Sequence, residues 1–253
     1  MKNENSARYK RQMIMPEIGP EGQERLKKAI VFLGGLGGLG SIIANYLAAA
    51  GVGNLRIADM DRVEESNLNR QILHWTDDIG TFKSYSAEEK LRRLNPECRI
   101  EAFVEEIKDD TIVDLVGNAS VIVDGLDNLQ SRKVLNRTSL RMGIPYVFGG
   151  VEGFNGMVTT FIPGKTPCLE CLFPFPASSE KKELGIIGPV AGFVASLQAL
   201  ETIKIIVGLP GVLARRLLHI QGADMKFREM VMEKNADCGV CGPGGKKTSN
   251  GGN

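Results

Sequence analysis

The chain has 253 residues, 43% of them hydrophobic, and its 31 Lys and Arg against 30 Asp and Glu leave a formal charge of +1. A chain of this length can bury roughly 70 to 75% of its unfolded surface, so one large globular unit needs no metal or disulfide to supply a core. Balanced, interspersed charge argues against a polyanion-binding surface, so no nucleic-acid partner is expected. The start Met1-Lys2-Asn3-Glu4-Asn5 has no apolar leader, and no uninterrupted apolar run reaches about 18 residues, so neither secretion nor membrane spanning is expected and a cytoplasmic location is.

In chain order, Ala29-Ile30-Val31-Phe32-Leu33 reads as a buried strand, and Gly34-Gly35-Leu36-Gly37-Gly38-Leu39-Gly40-Ser41 follows before a helical run at 42–50. Strand, glycine turn and helix in succession make a Rossmann-type phosphate site, in which backbone N–H groups and a helix N-terminus face an anion. Gly35, Gly37, Gly38 and Gly40 are the candidate nucleotide-binding glycines; the plain alternative is a tight turn that binds nothing. The next strand, 55–58, ends in Asp59, about twenty residues beyond the glycines, where a carboxylate can accept hydrogen bonds from ribose hydroxyls.

The alternation continues with a helix at 82–94, a strand at 99–104, a short helix at 111–117, a strand at 121–124, a helix at 132–142 and a strand at 145–148. Strands alternating with helices imply a mostly parallel sheet covered on both faces. The character then changes: Phe154-Asn155-Gly156-Met157 reads as a turn and 158–161 as a strand, which suggests an antiparallel extension. Residues 177–183 are polar and unpatterned, and form an expected exposed loop. Gly188-Pro189 opens a helix over 190–207 that Gly208 closes, and strands at 216–220 and 227–231 follow. The reading is an α/β, Rossmann-like, mostly parallel sheet with an antiparallel C-terminal extension and a four-cysteine zinc site. Residues 1–241 form one domain, and 242–253 a flexible tail.

The zinc site rests on two hooks, Cys168-Leu169-Glu170-Cys171 and Cys238-Gly239-Val240-Cys241. Two C-x-x-C pairs can complete a tetrahedral shell of four thiolates, which makes the metal structural, a staple from the chain's end to its middle. Disulfide or redox use is the alternative, disfavoured by a reducing compartment. The fifth cysteine, Cys98, is expected to be a half-buried thiol without chemistry.

Beyond the second strand comes Asp59-Met60-Asp61-Arg62-Val63-Glu64-Glu65-Ser66-Asn67-Leu68-Asn69-Arg70-Gln71, with Lys83 later. A nicotinamide dehydrogenase would share the glycine turn and Asp59 but would leave Arg70 and Lys83 without a task. A nucleoside triphosphate uses them, because negative charge builds on the phosphates during transfer. In Gly125-Leu126-Asp127-Asn128, Asp127 stands at the same sheet edge, where it could hold Mg2+ against phosphate oxygens.

With these motifs in order, and with Arg8-Tyr9-Lys10-Arg11-Gln12 ahead of them and Gly188-Pro189 behind, the chain resembles the ThiF/MoeB/HesA adenylyltransferases that activate ubiquitin-like sulfur carriers. The resemblance covers almost the whole chain. It implies that ATP and a carrier's C-terminal glycine carboxylate react to an acyl-adenylate and pyrophosphate, serving molybdopterin or thiamine biosynthesis. Asp59 would bind the ribose, Asn67, Arg70 and Lys83 the phosphates, and Asp127 the Mg2+. It also implies a homodimer in which Arg11 reaches the neighbouring site, and a partner that ends in Gly-Gly. Activation of a peptide or small carboxylate, or a non-catalytic carrier-binding scaffold, are the alternatives. One departure stands out: several relatives carry a cysteine in the loop before Gly188-Pro189, whereas this chain has Lys181 near that position, so adenylation without an enzyme thioester is expected.

Overall fold

The computed structural model describes residues 6–174 and 185–243. Helices α1 (Ser6–Met13) and α2 (Gly19–Lys28) lead into an alternation of β1 (Ile30–Gly34), α3 (Gly40–Ala50), β2 (Asn54–Ala58), α4 (Lys83–Leu94) and β3 (Arg99–Phe103). The alternation continues through α5 (Ile112–Val116), β4 (Val121–Asp124), α6 (Leu129–Met142) and β5 (Tyr146–Glu152). Then come β6 (Asn155–Phe161), α7 (Leu169–Leu172), α8 (Gly188–Val207), β7 (Arg216–Gln221) and β8 (Lys226–Val231). The strands form one eight-stranded sheet in the order β3-β2-β1-β4-β5-β6-β7-β8, parallel through β5 and antiparallel after it.

Two-residue periodicity divides the core between the sheet's faces. Val31, Leu33, Leu55, Ile57 and Val123 join Ile43 and Leu47 of α3 and Val194 and Ala195 of α8 on one face. Phe32, Ile122, Tyr146 and Phe148 join Leu115 of α5 and Val134 and Leu135 of α6 on the other. Strands buried on both faces explain why the parallel segments read as continuous apolar runs.

Three expectations need correction. The turn read at 154–157 lies earlier: Glu152 pairs with Asn155, so the two-residue turn is Gly153-Phe154, with Gly153 at φ +57, and Asn155 and Gly156 already belong to β6. Gly156 is there because α8 passes close, and a Cβ would stand 2.4 Å from Val194. The helix read from 132 begins at Leu129, because Asn128 caps it and accepts the Ser131 N–H at 2.8 Å. Cys98 is buried rather than half-buried, 3% exposed within the core.

By length and composition α8 could cross a membrane. Its polar residues instead anchor it in the protein: Gln198 Nε2 donates to the Asp124 carbonyl at 2.7 Å, and Glu201 accepts from Thr160 Oγ1 at 3.1 Å and the Leu213 N–H at 2.6 Å. It is the core helix covering the centre of the sheet. The expected loop at 177–183, Lys181 included, lies outside the described residues, as does the expected tail beyond residue 243.

Candidate functional site

From β1 the chain winds outward to β2 and β3, then returns to place β4 on β1's other side, so the carboxyl ends of β1 and β4 flank a topological switch point. The loops leaving these two strands stack backbone on backbone. Gly35 has φ +88, and a Cβ on it would stand 2.7 Å from the Gly125 carbonyl; one on Gly40 would stand 1.9 Å from the Gly35 carbonyl. The fold therefore requires Gly35 and Gly40 whatever is bound. Gly37 and Gly38 differ, since an added Cβ there meets nothing nearer than 3.6 and 3.5 Å. Behind them α3 starts without a side-chain cap; its Ser41, Ile42 and Ile43 N–H groups already bond the Gly37 and Leu39 carbonyls, so what this helix end offers an anion is its dipole.

Asp59 closes one side of this loop. Its carboxylate accepts the Leu36 N–H at 2.7 Å and the Asp61 N–H at 2.8 Å. Burial raises its pKa, against the pull of the Lys83 ammonium and those two N–H groups. Lys83, the nearly buried first residue of α4, places Nζ 3.1 Å from Asp61 Oδ2. Arg70 packs its stem against Gly38 and holds its guanidinium on the Ser66 carbonyl at 2.9 Å and Asn69 Oδ1 at 3.1 Å. Opposite it α8 begins so close that a Cβ on Gly188 would meet the Asn69 carbonyl at 2.7 Å. Asn67 is buried in the short turn that presents Arg70, where its Oδ1 accepts the Glu64 N–H at 3.2 Å and its Nδ2 reaches Ser66 Oγ at 3.3 Å. Asp127 is exposed beyond β4 and has no hydrogen bond or ion pair among the described residues.

Arg11 is not brought to this cluster within the chain. On α1, Gln12 Nε2 donates to the Ala50 carbonyl at 3.0 Å and Tyr9 OH accepts from Asn95 Nδ2 at 2.9 Å. That fixes α1 beside the C-terminus of α3, a helix of 11 residues, about 16 Å from the glycine loop at the other end.

The sequence reading missed a buried group beneath Asp127. Asp124, 0% exposed, accepts the Tyr146 hydroxyl at 2.7 Å and the Leu126 N–H at 2.9 Å, and lies 3.2 Å from Arg132 Nε. Arg132 donates onward to the Leu126 and Gly149 carbonyls at 2.5 and 2.9 Å, so the loop that carries Asp127 is clamped from below. An acidic residue ending an apolar strand, Val-Ile-Val-Asp, was the available signal. Gln71 was missed too: its amide faces Gly37, and its buried Oε1 has no partner among the described residues.

On the other flank the four expected cysteines converge. Their sulfurs lie within 4.8 Å of one another, with Cys168 to Cys171 at 4.0 Å, Cys168 to Cys238 at 3.7 Å and Cys171 to Cys241 at 3.4 Å. A disulfide needs about 2.0 Å, and all four are free thiols. A tetrahedral thiolate site with bonds of about 2.3 Å spaces its sulfurs about 3.8 Å apart, so this donor set fits a metal such as zinc. Burial raises the thiols of Cys168 and Cys241, the latter to about 11. Burial also opposes ionisation of Cys238, but the N–H groups of Cys241 and Val240 together with the thiols of Cys171 and Cys168 outweigh it and bring that thiol to about 7.

A parallel sheet with a glycine loop at its switch point defines the nucleotide-binding α/β class. Within that class the chain belongs to the ThiF family, whose model matches residues 9–240. It is 40% identical over 244 residues to the sulfur carrier protein adenylyltransferase of Thermus thermophilus, covering 93% of this chain and 90% of that one. Identity to the SAMP-activating enzyme E1 of Haloferax volcanii is also 40%, over 94% of this chain and 89% of that one. The adenylyltransferase and sulfurtransferase MOCS3 of Drosophila grimshawi is 40% identical over 95% of this chain, which spans only 55% of that longer protein. Among solved structures, E. coli MccB with MccA-N7isoASN superposes with a TM-score of 0.84 at 27% identity, over 95% of this chain and 76% of that one. The chain is an adenylyltransferase.

Proposed function

We propose that the chain uses ATP to adenylate the C-terminal glycine of a small ubiquitin-like sulfur carrier, in molybdopterin or thiamine biosynthesis. The observation that carries this is the convergence of the open Gly37-Gly38 cradle, Asp59, Arg70, Lys83 and the exposed Asp127 at one sheet edge, in a chain so similar to a sulfur carrier protein adenylyltransferase. ATP lies with its phosphates over the cradle and its ribose on the free lone pairs of Asp59. The carrier carboxylate attacks the α-phosphorus, the bond to the β-phosphate oxygen breaks, and pyrophosphate leaves. A carboxylate is already a competent nucleophile, so the reaction needs alignment and charge neutralisation more than a general base. Arg70, Lys83 and the remaining N–H of Asn67 meet the phosphate oxygens. Asp127, exposed and without a partner among the described residues, fits as a ligand of Mg2+, which would supply charge on the phosphates.

Arg11 completes the neighbouring site in a homodimer, a reading that its distance from its own glycine loop supports. The carrier ends in Gly-Gly, because only glycines thread a narrow cleft without side chains. Zinc on Cys168, Cys171, Cys238 and Cys241 is structural, since four thiolates leave no open position. Residues 1–241 act as one adenylation unit, and free thiols suit a reducing cytoplasm.

A second reading, activation of a peptide or another small carboxylate, is favoured by the likeness to MccB, described as a microcin C7 biosynthetic enzyme in complex with N-formylated MccA. Intact-mass measurement after incubation with Mg-ATP and candidate carriers separates the two. A carrier heavier by one AMP supports the first reading, and AMP on a peptide or small molecule alone supports the second. A thiol-labile enzyme-carrier adduct would overturn adenylation without a thioester.

A further inference from the structure

A buried polar chain that the proposed chemistry does not use runs from α4 to the glycine loop. Lys90 Nζ donates to Asp78 Oδ2 at 2.5 Å and to Ser86 Oγ at 2.9 Å, and lies over the Trp75 ring, 4.8 Å from its centroid. Ser86 Oγ is 2.8 Å from His74 Nδ1, and His74 Nε2 is 3.0 Å from the Leu36 carbonyl. Leu36 then donates its own N–H to Asp59. Lys90, Ser86 and His74 are 8%, 2% and 3% exposed, so the bonds from Lys90 through Ser86 and His74 to the Leu36 carbonyl are shielded from water.

The ends of the chain fix its direction. An ammonium only donates and a carbonyl only accepts. The Leu36 carbonyl therefore requires a hydrogen on Nε2, and a neutral ring leaves Nδ1 to accept the Ser86 hydroxyl. The charged groups facing the ring are Lys90, Lys83 and Asp78. Burial and then the two ammoniums hold the imidazole below its usual pKa, while the Leu36 carbonyl and Asp78 pull the other way. Leu36 sits between Gly35 and Gly37, so the loop's backbone there has no flanking side chains to hold it, and a directional bond to its carbonyl sets its orientation. A histidine that merely filled the core would not need to end on that carbonyl.

We infer that His74 is a positioning residue for the nucleotide loop: as the neutral Nε2–H tautomer it ties the Leu36 carbonyl to α4 and so presents the Leu36 N–H to Asp59. The inference rests on the reading of residues 35–40 as the ATP site, and its test is arranged so that the two can fail separately. The chain has two histidines, so a long-range nitrogen–proton spectrum resolves both rings, and the variant His219→Gln assigns them. The expected spectrum shows His74 as the Nε2–H tautomer that remains neutral below pH 6.5; an Nδ1–H tautomer, or ordinary titration near 6.5, overturns the inference. His74→Gln can still donate to the Leu36 carbonyl and is expected to keep the wild-type KM for ATP. His74→Asn, too short to reach it, and Ser86→Ala, which removes only the hydroxyl, are expected to raise that KM about three- to tenfold with kcat unchanged. Both should also speed amide exchange over residues 33–41 in the ligand-free protein. Equal losses of thermal stability in all three variants, with KM and loop exchange untouched, would mean a purely structural histidine. Failure of the wild type to bind ATP would fell the nucleotide reading, while loop exchange in the free protein would still decide the role of His74.

Discussion

Asp127 and Arg70 stand apart because their side chains hold little of the fold: Asp127 has no partner among the described residues, and Arg70 bonds only within its own turn. Asp127→Ala and Arg70→Ala are each expected to lower ATP–pyrophosphate exchange at least about tenfold, equivalent to about 1.4 kcal/mol, with the melting temperature unchanged. Exchange near wild type with the correct carrier supplied would remove both residues from the site. His74 gives a pH dependence with a definite sign. Its folded pKa lies below the unfolded value of 6.5, so its contribution to stability is present above pH 6.5 and is lost as pH falls below it. Urea titrations at pH 7.5 and 5.5 should show a smaller loss for His74→Gln than for wild type. Cys98, buried and with its thiol pushed up to about 12, should resist alkylation at pH 8 until the protein unfolds. At this scale the glycines, Asp59 and the cysteines were legible because each motif announces itself locally. Asp124 was not, because what makes it matter is Tyr146, a partner 22 residues away that only the pairing of β4 with β5 brings near.

Among elements, the glycine loop separates what the fold needs from what a ligand needs. Gly40→Ala would drive a methyl group to 1.9 Å from a carbonyl oxygen and should sharply reduce the yield of folded protein. Gly37→Ala meets nothing nearer than 3.6 Å, so it should fold normally and instead weaken ATP binding, measurable by calorimetry. Equal stability losses in both would refute that division. The cysteine hooks make a parallel case. Cys171→Ser, or removal of metal with a chelator, should lower the melting temperature without altering nucleotide specificity, and metal analysis should find one zinc per chain. The parallel strands were readable as apolar runs, whereas the β5–β6 turn was misplaced because Asn155-Gly156 imitates a hairpin signal. Gly156 answers instead to Val194 of α8, a tertiary contact that the local pattern does not contain.

For the whole molecule, the placement of Arg11 away from its own glycine loop leads to a test of shared sites. In a dimer formed from Arg11→Ala and Asp127→Ala protomers, one of the two sites keeps every group, so mixing two inactive variants should restore part of the activity. No recovery in a verified mixed dimer would count against a site built by two chains. The mostly parallel sheet followed from the alternation of strands and helices, but its strand order and the direction in which α1 points did not; Gln12 and Tyr9 bind carbonyl and amide groups that meet only once α3 and α4 are packed.

The sulfur cluster also sets an order of events in time. Cys168 precedes Cys238 by 70 residues, and the last two strands of the sheet, β7 and β8, are made in that interval, before the second hook exists. At roughly 5 to 20 residues per second, a chain under synthesis carries its first pair of thiols unclosed for about 4 to 14 seconds. During that interval the unpaired thiols of each new molecule are open to oxidants and to stray metals, so metal and reductant supplied while the protein is being made are expected to raise the yield of mature chain.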